Sequence, residues 1–191
     1  MDYKALFHIA LLLISSPARA WEEIRLETDN RHVTAGFVYP LIGLCSLSVF
    51  AGCLIGRGWS GPESFQYAMT QCCAMAVSLF GGYYLAAYLL NLVRTNVLMQ
   101  DGDLARCQRF VGYSMVVTLL LRAVIGLLPD IIIVAMIGQF YTFYVVWEGA
   151  DRMMEVEEPT KVRFTVIASV LILLCPVAID MVFNKLMAVF N

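Results

Sequence analysis

The chain has 191 residues, of which 60% are apolar and 15% charged, whereas soluble domains carry roughly 45–50% apolar and about 25% charged residues. Its 13 basic and 15 acidic side chains leave a net charge of −2, which excludes the overall basic surface of a nucleic-acid binder, and the apolar excess excludes disorder. A spanning helix takes about 20 apolar residues, so the length accommodates five or six spans and no separate soluble domain of ordinary size.

Residues 1–35 form an N-terminal segment. Ala5 to Ile14 is a short apolar run, and Ala18-Arg19-Ala20 fits a small-residue cleavage pattern, so the stretch imitates a secretory signal. Five long apolar runs follow within residues 36–191: about Gly36 to Gly56, Phe65 to Val93, Phe110 to Leu128, Ile131 to Trp147 and Phe164 to Phe183. Without water, backbone amides must bond within the segment, which makes each run a helix. Barrel strands would alternate polar and apolar residues in segments of about ten, and no such period is present. The expected fold is all-α: a bundle of five transmembrane helices with an N-terminal interfacial helix. Leu128-Pro129-Asp130 is the tightest connection and predicts a helical hairpin. Arg57 to Pro62, Gln100 to Asp103 and Glu157 to Thr160 carry the punctuation of loops.

Basic residues set the orientation. With five spans, Lys4, Arg19, Arg25, Arg31, Arg94, Arg106, Arg109, Arg152, Lys161 and Arg163 share one side, and Arg57 and Lys185 the other. This predicts a cytoplasmic N-terminus and an external C-terminus. Cleavage after Ala20 would invert every span, so residues 1–20 are expected to stay, as a helix on the cytoplasmic surface broken at Pro17 and resumed through Trp21, Ile24 and Arg25. Trp21 and Trp147 on the inner side, and Trp59 on the outer, suit interfacial aromatic belts.

Enzyme signatures are missing. Both histidines, His8 and His32, precede the first span, which excludes a Ser-His dyad within the membrane. The sequence has no H-E-x-x-H motif and no phosphate loop. Asp180 alone among the aspartates falls within a span, which excludes a paired-aspartate mechanism. Cys45, Cys53, Cys72, Cys73 and Cys175 fall inside spans, and Cys107 in a cytoplasmic linker where acylation is conceivable. None has zinc spacing, so no metal, cofactor or catalytic residue is expected.

Polar groups at depth are the functional candidates. Arg122 and Asp180 are predicted in the outer third of the third and fifth spans, where they would pair if the helices are neighbours. Gln71, Ser78, Ser114 and Gln139 supply further polar groups that either bond between helices or line a cavity. Gly52 and Gly56 form a G-x-x-x-G face for close approach, within the bundle or in a homodimer. Gly81-Gly82 is either a flexible point or a packing site. The run Phe140 to Gly149 is dense in aromatics, and Glu148 and Arg152 are an i,i+4 pair. With Trp147, and with Arg106 and Arg109 opposite, they form a candidate docking surface at the cytoplasmic face.

Ser16-Pro17-Ala18-Arg19-Ala20-Trp21-Glu22-Glu23-Ile24 precedes the first span, and Phe37-Val38-Tyr39-Pro40-Leu41-Ile42-Gly43-Leu44 opens it. Cys107-Gln108-Arg109-Phe110-Val111-Gly112-Tyr113-Ser114 opens the third, Trp147-Glu148-Gly149 closes the fourth, and Cys175-Pro176 lies in the fifth. Together these resemble the Yip family of Ypt/Rab-interacting membrane proteins in a short bacterial form. The resemblance implies a five-span fold and, from eukaryotic relatives, Rab-type GTPases, vesicle traffic and membrane shaping. The chain departs from those relatives in having no long cytosolic N-terminal region and no Asp-Leu-Tyr-Gly-Pro-like stretch before the first span, so GTPase binding is not carried over. The expected home is a bacterial cytoplasmic membrane. The expected role is non-enzymatic: organising protein or lipid partners at the cytoplasmic face. A small transporter or channel built around Arg122 and Asp180 is the alternative.

Overall fold

A computed structural model describes residues 3–26, 34–57 and 61–190. Arg31, His32 and Trp59 therefore lie outside the described residues, and the belt position expected for Trp59 with them. Every described element is a helix. Four are long and apolar enough to cross a membrane, and five if one bent pair counts as a single span.

Helices α1 (Tyr3–Ser15) and α2 (Pro17–Leu26) are separated by Ser16 alone. Pro17 suits the first turn of α2 because its missing N–H would be unsatisfied there anyway. His8 Nδ1 and Glu23 Oε1 are 3.8 Å apart, whereas fifteen residues of straight helix would separate them by about 22 Å along the axis. The two helices therefore fold back on each other. Trp21 and Ile24 are buried in the core of the bundle, so Trp21 does not sit in the interfacial belt that its flanking charges suggested.

The first span opens with a π-helical turn, Thr34–Val38, and continues as α3 (Tyr39–Arg57). Helix α4 (Pro62–Val97) begins with proline after Gly61, whose φ of 131° is open to glycine and not to most residues. Its 36 residues make about 54 Å, well beyond a hydrocarbon core of about 30 Å, so α4 projects from the membrane. The third span is not one straight helix: α5 (Leu104–Ser114) and α6 (Val116–Leu127) meet at a 43° bend at Met115. Helix α5 also starts six residues earlier than the apolar run, because Asp103 caps it by accepting from the Arg106 amide at 2.9 Å. A 3₁₀ turn, Pro129–Ile131, closes the predicted hairpin and leads into α7 (Ile132–Gly138) and α8 (Tyr141–Arg152), which count together as the fourth span. Helix α9 (Glu158–Phe190) is the fifth.

Helix α4 is the centre, packed against α9, α3 and α5, while α3 also packs on α6 and α2 packs on α8. Two crossings are so close that only glycine fits. A Cβ on Gly82 would lie 2.5 Å from Pro176 Cα on α9, and one on Gly52 would lie 1.8 Å from Gly126 O on α6. The packing site, not the flexible point, is what Gly81-Gly82 supplies. Helix α7 turns Ile132, Ile133, Val134, Met136 and Ile137 outward, the composition of a lipid-facing surface.

Candidate functional site

The end of the bundle remote from the Pro129 hairpin gathers charge from four elements. The α4–α5 and α8–α9 connections there are built alike. Each uses a non-glycine residue at positive φ, Met99 at 53° and Glu155 at 55°. In each the following amide returns to a carbonyl of the helix before it, Gln100 N–H to Arg94 O at 3.3 Å and Val156 N–H to Ala150 O at 3.2 Å. The Gln100 side chain then donates to Glu155 O at 3.3 Å, tying the two reversals together. Left-handed backbone at such residues costs of order 1–3 kcal/mol and persists where surroundings over-determine it.

Glu155, held in this way, receives Arg106 Nη2 from α5 at 3.3 Å. Arg109, one helical turn on, donates from Nη2 to Ile24 O at 2.7 Å and so caps the C-terminus of α2. Arg152, in the last turn of α8, pairs with Glu148 and reaches Glu22 Oε1 of α2 at 3.6 Å. Arg25 completes the group, and Arg25, Arg106, Arg109 and Arg152 line one concavity of about 60 Å³ with Met153 and Glu155. Four cations thus meet three nearby carboxylates, those of Glu22, Glu148 and Glu155. The pairs are partly exposed, and such pairs contribute about 0–1 kcal/mol each, so they exchange readily for another anion.

Beneath this surface, α2 is locked by its indole. Trp21 Nε1 donates to Val145 O at 2.9 Å, and the ring stacks on Phe110 with centroids 5.3 Å apart. Gly149 makes the room: a Cβ there would lie 2.6 Å from Trp21 Cε2.

The predicted docking group is therefore brought together only in part. Arg106, Arg109 and Arg152 share the concavity and Glu148 reaches it only through its pair with Arg152, but Trp147 turns to α9, where Lys161 Nζ lies 4.3 Å from its ring centroid. Lys161 is buried and paired with Asp151, and with Glu158 at 3.8 Å. Arg25 and Glu22 were missing from the predicted group because only the fold-back of α2 delivers them. The nearest sequence signal was Pro17, which marks the break but not the direction of the turn. Cys107 is not in a linker: it is fully buried within α5, its Sγ 3.9 Å from Asn91 Oδ1, so an acyl group has no access to it. All six cysteines are thiols.

The intramembrane candidates are dispersed. Arg122 and Asp180 are close enough to act on each other electrostatically, but among the described residues they form no direct ion pair. Asp180 Oδ2 accepts from Asn184 at 3.2 Å, and Arg122 Nη1 lies 3.7 Å from Met75 Sδ. Ser78 bonds its own helix at Met75 O, 3.0 Å away, while the Ser114 hydroxyl is buried in the core. Gln139 sits at the break between α7 and α8, and Gln71 is half-buried on α4. Arg122 lines a cavity between α3, α4 and α6; Gln71, Gln139 and Asp180 do not. Among the described residues no group of three His, Cys, Asp or Glu could hold a metal ion.

A family model described as Yip1 domain matches residues 11–179. Neither a curated protein nor a solved structure matches the chain significantly.

Proposed function

The chain belongs to the Yip1 domain family, and from that premise we propose that it is a non-enzymatic multi-pass membrane protein that organises protein or lipid partners at its arginine-bearing end. The observation that carries this reading is the convergence of Arg25, Arg106, Arg109 and Arg152 on one concavity. Guanidinium groups bind carboxylates and phosphates through paired, directional donors, and the exchangeable carboxylates around them keep the site soluble until an acidic partner arrives. The matching partner is an acidic segment of a neighbouring protein or an anionic headgroup. The excess of Lys and Arg at this end supports placing it in the cytoplasm, with a bacterial inner membrane as the home.

Photo-crosslinking from positions 106 and 152 in intact cells tests the proposal. The expected result is one defined crosslinked species, reduced at least tenfold when Arg25→Glu reverses a neighbouring charge. Reconstituted vesicles are expected to hold solutes and protons as well as protein-free vesicles do. A leak abolished by Asp180→Asn, or crosslinks indifferent to Arg25→Glu, would overturn it.

A further inference from the structure

The direction in which α1 and α2 fold back is fixed by what each leg touches. His8 is eight residues before Ser16 and Glu23 seven after it, so their 3.8 Å approach sets the legs antiparallel with the turn at Ser16. The open end of the hairpin lies with the arginines, where Ile24 O receives Arg109 and Glu22 meets Arg152. The turn lies elsewhere. Tyr141 donates its hydroxyl to Ile14 O at 2.6 Å, and Tyr141 is halfway along the 24-residue fourth span, Pro129–Arg152. It is eleven residues back from Arg152, about 16 Å along α8. Helix α1 also packs on α6, which lies wholly beyond the Met115 bend from Arg106 and Arg109.

The chemistry of the hairpin changes along the same direction. On α1, Lys4 and His8 precede an uninterrupted apolar run, Ile9 to Ile14. Phe7, Leu11 and Ile14, spaced by four and three residues, share one face and are 64%, 62% and 42% exposed, while Leu6, Ala10 and Leu13 are buried against the bundle. Tyr141, which holds Ile14, has the exposed Phe140 and Tyr144 for neighbours on the fourth span. On α2, Glu22, Glu23 and Arg25 lie toward the open end, and Arg19, nearer the turn, has the length to reach headgroups. A chain reversal within hydrocarbon must satisfy its backbone internally. Here Pro17 has no N–H, Ser16 N–H bonds Leu12 O at 2.8 Å, and Ala20 N–H bonds Ser16 O at 3.1 Å.

We propose that α1 and α2 form a re-entrant hairpin in the leaflet on the arginine-bearing side, with Phe7, Leu11 and Ile14 against acyl chains and Ser16 well below the headgroups. The apolar run that imitates a secretory signal is half of a membrane excursion: it enters the bilayer and returns without reaching the other face. The insertion rests on the packing of α1 and α2 and not on what the arginine cluster binds, so either can fail without the other.

The full-length chain is reconstituted in vesicles of phosphatidylethanolamine and phosphatidylglycerol with a nitroxide-bearing amino acid at position 7, 11 or 14, each facing outward, and with the native cysteines in place. Collisions of the nitroxide with oxygen, which concentrates in the bilayer interior, are compared with collisions with a water-soluble nickel chelate. Positions 7 and 14 are about 10 Å apart along the helix axis. The oxygen-to-nickel ratio is therefore expected to rise in the order 7, 11, 14, by at least threefold overall. Ratios within threefold of one another, as for a helix flat on the surface, a ratio falling from 7 to 14, or free access of nickel to position 14 would each overturn the proposal. Where the label at 14 prevents folding, position 15, exposed beside the turn, takes its place in the series.

Discussion

The glycines of this chain differ from one another in what faces them. Gly52 and Gly82 sit where a Cβ would strike backbone of the facing helix, at Gly126 O and Pro176 Cα, while Gly56 faces open space. Small residues let helix backbones approach in lipid, where association rests on packing and not on expulsion of water. Gly52→Ala and Gly82→Ala are therefore expected to destabilise the protein by about 1–3 kcal/mol each, and Gly56→Ala by less than about 0.5 kcal/mol. Thermal unfolding in detergent separates the two classes. Equal shifts at Gly52 and Gly56 would revive a shared G-x-x-x-G dimer face, which the occupied Gly52 position argues against.

The element that most changes the picture is α2. A short helix of charge and scattered apolar residues reads from sequence as surface-bound, yet Trp21, Ala20 and Ile24 are buried. Its C-terminus is capped from another helix by Arg109. Replacing Trp21 with Ala removes the ring stacked on Phe110 and the indole donor to Val145 O, which is expected to cost about 3–5 kcal/mol. Trp21→Phe keeps most of the ring and loses the hydrogen bond, an expected cost of about 1 kcal/mol. Unfolding in detergent measures both, and if Trp21→Ala were as stable as the unaltered chain, α2 would not be a structural element. The bend at Met115 belongs to the same scale: it has neither proline nor glycine at the break, so the apolar run Phe110 to Leu128 looked like one straight helix.

For the molecule as a whole, the asymmetry of basic residues and the gathering of arginines at one end point to the same orientation. With that end in the cytoplasm, the Pro129 hairpin faces outward. A cysteine in place of Asp130 is expected to react with a membrane-impermeant thiol reagent added to intact cells, and one in place of Glu157 only after lysis, each compared with the unaltered chain. The reverse pattern would invert the topology. Helices α4 and α9, with 36 and 33 residues, are each longer than a hydrocarbon core of about 30 Å requires.

Apolar runs are a local property of the chain, which is why five spans, the Pro129 hairpin and the Glu148–Arg152 pair were legible from residue order alone. The family likeness rested on motifs in those same stretches and extends over residues 11–179. The candidate site was half legible: Arg106, Arg109 and Arg152 stood out as charges at one end, but their partners did not. Glu155 is 49 residues from Arg106, and Glu22 is 130 from Arg152. Such pairs form only once α2 has folded back and α5 has bent from α6, and neither turn has a residue that dictates its direction. Composition by itself determined that the chain is a helical membrane protein, because burial in lipid is decided by each segment's own polarity. The tertiary structure decided which charges meet, which glycines are occupied and where a cavity opens, because those depend on how close separate helices come.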